Sequence, residues 1–468
     1  MTEDSGEGAD NGPHKRYLSL TPLRTDLGPV ADAVRDADAD AFVAVGDRFD
    51  DDLRYLTRFS GPDRSYSLVV VPGRTVDDNG GFEGGSPDRT VPDRAVLCAP
   101  ALFAEQAERE FVENARLDGD DPAFHDEVVR EIRTDDVDTH AGERAAAVVE
   151  ELVSEKRGDE DELPGRDGRD DAERVLLVPA SVPHDAAVYL ERADNALRST
   201  ETVSAARARK TSAERDRLRR VQRATAAGMA RAESVLAESE FASDGAVPET
   251  ESGDPLREPL RWNGDRLTTE RLRREVNATL AARGVCDAGN TVIGTGSSAA
   301  DLHYVGNDPV RAGETVLIDL SPRGPDGYYG DMTRTFVVDG DGGWERRAYV
   351  AVEAAREAAL AEIEPGVPAT TVHAEAAAEL AAYGFDPNAA EGESGFTHGT
   401  SHGVGLSLHE SPSLSSKTEL TPGHVLTVEP GVYDPTVGGV RLEDLVAVTE
   451  DGYELLAEYP FEIVPRER

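Results

Sequence analysis

Asp319 closes a short apolar run, Val316-Leu-Ile318, and Asp331 opens another, Met332-Thr-Arg-Thr-Phe-Val337, across a turn rich in Pro, Gly and Asp. The pattern predicts a β-hairpin with a carboxylate at each of its facing ends. A carboxylate at the end of an apolar strand is costly to bury without a cation or donors, so the pair asks for a metal. A second stretch repeats the plan. Gly313-Glu-Thr-Val-Leu-Ile-Asp319 and Gly423-His-Val-Leu-Thr-Val-Glu429 each run from a glycine through an apolar strand to an acid six residues on. A second acid follows each across a turn, Asp331 in one case and Glu443 in the other. Between them lie His398, His402 and His409. Four carboxylates carry a charge of about −4, which two divalent cations neutralise, with room for a bridging water or hydroxide. Oxygen-rich donors with one imidazole suit manganese, cobalt or zinc. Any one of these acids alone reads better as a solvated turn residue. The matched set does not, because all four occupy equivalent strand ends.

The elements that must position these residues also repeat. Thr211-Ser-Ala-Glu214 fits a capping box and opens a long amphipathic helix toward Glu238. A polar insertion (239–262), a second helix from Leu267 to Ala282, the strand Thr291–Gly294 and the first hairpin follow. Then come a helix from Trp344 to Ile363, another from Thr370 to Tyr383, a histidine-rich strand pair from His398 to Glu410, and a hairpin that starts at Pro422 and closes at Arg441-Leu-Glu443. Helix, helix, hairpin occurs twice, predicting two pseudo-symmetric halves whose hairpins meet at a central sheet. Upstream, helices and apolar strands alternate (Ala41–Val45, Ser67–Val71, Arg94–Pro100, Val175–Val178), which predicts an α/β domain. That domain has no concentration of chemically useful side chains. Polar stretches at 73–94 and 156–173 read as loops, and residues 1–16 as a disordered leader. The expected domains are 17–204 and 205–468.

Composition narrows the function. The chain has 468 residues, of which 92 are acidic and 49 basic, a net charge of −43. Lysine is limited to Lys15, Lys156, Lys210 and Lys417. Acid spread along the chain, rather than in a tail, resembles cytoplasmic proteins of salt-loving organisms, where salt screens self-repulsion; the alternative is a merely acidic mesophilic protein. Binding nucleic acid through a basic face is disfavoured. No apolar run is long enough to span a bilayer, and no signal peptide is evident. Cys98 and Cys286 lack metal-type spacing and are expected to be free buried thiols.

Asp319 and Asp331 before Met332-Thr-Arg-Thr335, His402-Gly-Val-Gly-Leu with His409-Glu410, Val428-Glu-Pro-Gly431 and Arg441-Leu-Glu-Asp444 together resemble the M24 metallopeptidases. These "pita-bread" enzymes include methionine aminopeptidase, prolidase and aminopeptidase P. The resemblance runs from about residue 205 to the C-terminus. It extends more weakly to the front domain, where Asp52-Leu-Arg-Tyr-Leu-Thr57 is similar to the creatinase/prolidase N-domain motif. It implies that Asp319 holds one metal, that His402 and Glu429 hold the other, and that Asp331 and Glu443 bridge the pair. It further implies that Glu429 handles the proton of the attacking water, that His303 and His409 hold substrate and stabilise the tetrahedral intermediate, and that Arg441 steadies the carboxylates. Two departures from the prolidase pattern stand out. The Asp319–Asp331 spacing is one residue longer, and Ser321 stands where a glycine is usual.

The implied activity is hydrolysis of the peptide bond before proline, as Xaa-Pro dipeptidase or aminopeptidase P, by a hydroxide bridging two metal ions, manganese first. Substrates would be proline-containing peptides and the assembly a homodimer. The alternatives are an inactive pita-bread interaction module and another M24 aminopeptidase specificity. Methionine aminopeptidase is disfavoured by the large front domain, and metal-free creatinase by the intact ligand set. His398 either edges the pocket or makes a structural hydrogen bond. His373, His424, Tyr328 and Tyr329 read as packing residues. Arg54 and Tyr55 read as internal to the front domain, the alternative being a loop that reaches a neighbouring subunit.

Overall fold

The structure, a computed structural model, describes residues 20–76, 89–116, 127–135, 139–161, 173–241, 259–413 and 417–468. The leader expected at 1–16 lies outside them, as do 77–88, 162–172 and 242–258 within the three polar insertions. Two compact units divide the chain, Met1–Ala206 and Arg207–Arg468.

The first unit is built on a six-stranded sheet in the order Val129–Asp135, Arg94–Pro100, Tyr66–Val71, Ala41–Gly46, Arg174–Pro179, Asn195–Thr200. The two central strands are buried along their whole length, which is why they read as continuous apolar runs. Both outer strands are missing from the sequence reading. Among the described residues, Val-Arg-Glu-Ile-Arg-Thr-Asp and Asn-Ala-Leu-Arg-Ser-Thr are edge strands, paired on one side only, and carry too few apolar residues to stand out. Helix Ala141–Asp161 lays Ala145, Val149 and Leu152 against the sheet core. It therefore continues past Lys156, where a loop was expected. The 73–94 excursion begins and ends as a short ribbon, Arg74–Val76 with Arg89–Val91. Cys98 is buried as expected, but Cys286 is exposed, on the loop after helix Thr269–Ala282.

The second unit holds the duplication. Helices Ser212–Ala237 and Thr269–Ala282 share one core with the sheet Thr291–Thr295, Thr315–Leu320, Met332–Val337. Helices Trp344–Ala361 and Ala369–Ala382 share another with Val425–Val428 and Asp444–Thr449. Strands 315–320 and 332–337 pair antiparallel with Asp319 opposite Thr333. Strands 425–428 and 444–449 do the same with Val428 opposite Asp444. The second hairpin is not simple, however. A separate ribbon, Gly431–Asp434 with Gly438–Arg441, is inserted at its tip. Strand structure in the histidine-rich segment is limited to His402–Gly403 and Glu410–Ser413; residues 404–409 form a loop. The halves meet where Glu443 N–H donates to Thr333 O at 3.1 Å and Thr335 Oγ1 bridges both main-chain groups of Arg441.

The predicted capping box is present. Thr211 Oγ1 accepts from Glu214 N–H at 3.3 Å, and the Glu214 carboxylate accepts from Thr211 N–H at 2.9 Å. Glu214 also accepts from the buried Tyr328 hydroxyl at 2.7 Å, tying the hairpin turn to the helix start. Thr211→Ala is expected to cost about 1 kcal/mol, read as a lower denaturation midpoint with unchanged slope.

Candidate metal centre

Strand geometry delivers the acids. Asp319 lies in Thr315–Leu320, Asp331 just before Met332–Val337, Glu429 just after Val425–Val428, and Glu443 between Arg441 and strand Asp444–Thr449. All four line one cleft of about 530 Å³, together with His303, His398, His402, His409 and Arg441. Donor atoms of Asp331, His402 and Glu443 lie within 4.8 Å of one another. His402 Nε2 is 3.6 Å from Asp331 Oδ2 and 3.4 Å from Glu429 Oε1. Its Nδ1 sits 3.1 Å from Gly403 O. A carbonyl only accepts, so the proton belongs on Nδ1 and the Nε2 lone pair faces the acids, the tautomer a metal needs. Asp319 joins through Arg441, whose Nη2 donates to its Oδ2 at 2.6 Å.

Electrostatics and polar satisfaction both mark the cluster as incomplete without cations. Among the described residues the buried acids are Glu214, Glu233, Asp331, Glu345, Glu443 and Asp444. Glu214, Glu233, Glu345 and Asp444 each have donors or a cation at hand. In the cleft, by contrast, Asp319 Oδ1 and Glu443 Oε1 are buried with no hydrogen-bond partner. Burial pushes Glu429 up to about 7, with Asp319 adding to the push and Arg441 opposing it. Burial, then the charges of Glu429 and Asp319, push Glu443 to about 8. Asp331 is driven well above the usual range by burial and by Glu443, Asp319 and Glu429. Bare buried oxygens, mutually repelling carboxylates and an oriented imidazole fit hard-to-borderline divalent cations.

The histidines differ in setting. His409 stacks at an angle on His402, with ring centroids 4.2 Å apart. Partial burial, with His402 and His303 nearby, holds its imidazole below the ordinary range. His303 is exposed on the cleft rim. His398 hydrogen-bonds the Tyr433 hydroxyl at 2.8 Å, and burial, with Arg441 beside it, holds it down at about 3. His373 pairs with Thr400 and His424 with Thr421, both outside the cleft lining.

Several supporting residues escaped the sequence reading. Thr333 Oγ1 donates to Glu443 Oε2 at 2.6 Å and accepts from Arg441 Nε at 3.1 Å. It lies inside the Met-Thr-Arg-Thr motif, so position alone could have flagged it. Ser321 Oγ donates to Asp331 Oδ1 at 3.0 Å, so the residue standing for the usual glycine orients a candidate ligand. Gln222, on helix Ser212–Ala237, clasps the main chain of Asp331 in both directions; nothing in the sequence links the two. Glu410 is gripped by Lys210 at 2.7 Å and Arg207 at 2.6 Å, which pins the loop that carries His409.

Residues 216–450 match the sequence profile of metallopeptidase family M24, half of the chain. The chain belongs to metallopeptidase family M24. It is 33% identical over 193 residues to the probable dipeptidase PepE of Mycobacterium tuberculosis, covering 41% of this chain and 50% of that protein. It is 36% identical over 178 residues to the Xaa-Pro dipeptidase of Pyrococcus furiosus, covering 37% and 49%. The chain thus spans about half the length of the curated relatives it matches. The solved Xaa-Pro dipeptidase of Bacillus anthracis superposes with a TM-score of 0.68 at 21% identity, over 94% of this chain and 98% of the other. At that identity the likeness is one of fold: an α/β N-terminal domain followed by an M24 pita-bread domain.

The raised carboxyls give the M24 centre a definite pH signature. Carboxyls with a folded pKa above the ordinary value of 4.5 stabilise the fold while protonated. That contribution is complete below about pH 4.5 and is lost as pH rises through about 7 for Glu429 and about 8 for Glu443. A cation bound by these carboxyls would displace those protons. The rise in melting temperature on adding Mn²⁺ to chelator-stripped protein should therefore be small at pH 5.5 and large at pH 8.5. A shift independent of pH would contradict a carboxylate-held ion.

Proposed function

We propose that this M24 protein is a dinuclear-metal exopeptidase that cleaves the peptide bond before proline, as an Xaa-Pro dipeptidase or aminopeptidase. The observation that carries the reading is the convergence of Asp319, Asp331, His402, Glu429 and Glu443 on one cleft, with two buried carboxylate oxygens lacking partners. Those five would hold two divalent ions, manganese first, which when bound polarise the scissile carbonyl and acidify the attacking water. The chain's own residues do the rest.

Glu429, poised at about 7, takes the proton of the attacking water and returns it to the departing nitrogen. When proline follows the scissile bond that nitrogen belongs to a tertiary amide, so protonation assists its departure. His409, kept largely neutral, and His303 at the rim offer N–H donors where negative charge develops on the carbonyl oxygen. Arg441 spans Thr333, Tyr433 and Asp319 with three separate N–H donors. It fixes the orientation of Asp319 and offsets part of the buried negative charge. Tyr433 in turn holds His398 at the pocket wall.

The preference for proline rests on the name of the Pyrococcus furiosus relative, an Xaa-Pro dipeptidase. A dipeptidase with no proline requirement is the second reading, supported by similarity to a probable dipeptidase, PepE. Purified protein loaded with Mn²⁺ or Co²⁺ in high salt should hydrolyse an Xaa-Pro dipeptide, an Xaa-Pro-Yaa peptide, or both. Cleavage of Xaa-Ala alone selects the second reading, and no cleavage of any with metal bound excludes both. Glu429→Gln should lower kcat by about 10²–10⁴-fold with an unchanged circular dichroism spectrum. Removal of one donor by His409→Ala should lower kcat/KM by about 10²–10³-fold.

A further inference from the structure

Strand alternation in Met332–Val337 sends Thr333 and Thr335 toward Arg441 and Glu443, and sends Arg334 to the opposite face. Arg334 is 1% exposed, among the largest fully buried side chains described, and none of its atoms lines the cleft. Its guanidinium is nevertheless fully engaged. Nη2 donates to Asp444 Oδ1 at 2.8 Å and to Tyr459 O at 2.9 Å. Nη1 donates to Thr333 O at 2.9 Å and to Glu443 O, and Nε donates to Pro460 O at 3.3 Å. The Phe461 ring lies 4.0 Å from its Cζ. Arg356 stacks on the same ring, also at 4.0 Å, and donates through Nε to Asp444 Oδ2 at 2.8 Å.

Tyr459–Ile463 belongs to no helix or strand, yet it is tied down at several points. Ile463 O accepts from Val337 N–H at 2.7 Å. The Tyr459 hydroxyl donates to Glu233, which is buried on helix Ser212–Ala237. The arm thus supplies two of the acceptors and the aromatic platform of the buried guanidinium. That guanidinium holds the main-chain oxygen of Glu443 and the side chain of the next residue.

We propose that Arg334 and the arm Tyr459–Ile463 are positioning elements of the metal centre, which set the placement of Glu443 and so its affinity for a cation; this rests on the reading of Glu443 as a ligand. Beyond the Thr333 hydroxyl on its Oε2, Glu443 is fixed at three points, its N–H on Thr333, its C=O on Arg334, and its neighbour Asp444 on Arg334 and Arg356. Only Oε1 of its carboxylate is left without a partner. Removing the arm leaves two N–H groups of a buried cation without acceptors, a penalty the guanidinium escapes only by turning toward water. That turn releases Glu443 O and Asp444 together. Loss of the arm therefore reaches the ligand instead of merely lowering stability.

Mn²⁺ titration of chelator-stripped protein by calorimetry tests this without any peptide. Arg334→Lys keeps the charge but loses the fork. It should bind Mn²⁺ about 10–100-fold more weakly, the usual cost of removing an outer support of a metal ligand. Phe461→Ala, which spares every hydrogen bond, should shift affinity in the same direction. A core variant of the same unit, Leu272→Ala, should lower the melting temperature with wild-type affinity. Wild-type affinity in both Arg334→Lys and Phe461→Ala would overturn the proposal, as would equal weakening in Leu272→Ala or no Mn²⁺ binding by the unaltered chain. An unaltered chain that binds Mn²⁺ without cleaving any peptide removes the peptidase reading and leaves this one standing.

Discussion

The dominant constraint in the second unit is electrostatic: among the described residues, four carboxylates share one cleft with a single guanidinium, that of Arg441, at hydrogen-bonding distance. Like charges this close cannot all be ionised out of water, so without a cation the cluster holds protons into the neutral range. The surroundings fit that demand. Thr333, Ser321 and Thr427 each contribute one hydroxyl to one carboxylate oxygen, on Glu443, Asp331 and Glu429 respectively. Those hydroxyls orient the acids without neutralising them. Had the fold evolved to quench the charge internally, more arginines would be expected here, as at Asp444, where Arg334 and Arg356 share one carboxylate.

The duplicated architecture follows from the same demand. One hairpin brings two acids together; four acids and an imidazole need two hairpins facing each other. Each half carries its own hydrophobic core, one under helices Ser212–Ala237 and Thr269–Ala282, the other under Trp344–Ala361 and Ala369–Ala382. The cores place the strands, and a thin seam of main-chain and threonine hydrogen bonds, 333–335 against 441–443, sets the register between them. A slip of one residue there would take the acids of one half out of register with those of the other. Strand 332–337 therefore works on both faces, with its threonines toward the acids and Arg334 toward the buried ion-pair layer behind them.

The repeat of glycine, apolar strand and acid made the four cleft-lining acids legible in the sequence, because strand ends and acids are local features. The strand and helix periods placed the four helices of the second unit to within a residue or two. Features that depend on neighbours in space did not register. Edge strands Val129–Asp135 and Asn195–Thr200 carry no strong apolar pattern, since among the described residues one side of each has no strand beside it. The histidine-rich segment alternates like a strand pair but is mostly loop, pinned by Glu410 to Lys210 and Arg207 some 200 residues earlier.

By itself, then, the sequence determined which residue types stand at the ends of which strands, and that two such sets exist. Those are consequences of short-range pattern and chain order. Only the tertiary structure decided which oxygens remain without partners, how far burial raises each carboxyl, and which side chains hold the acids in place. Gln222 on Asp331, Thr333 on Glu443 and Arg334 with its C-terminal arm act across more than a hundred residues of chain. Desolvation and hydrogen-bond satisfaction are properties of an enclosed volume, and that volume exists only once the two halves have closed on each other.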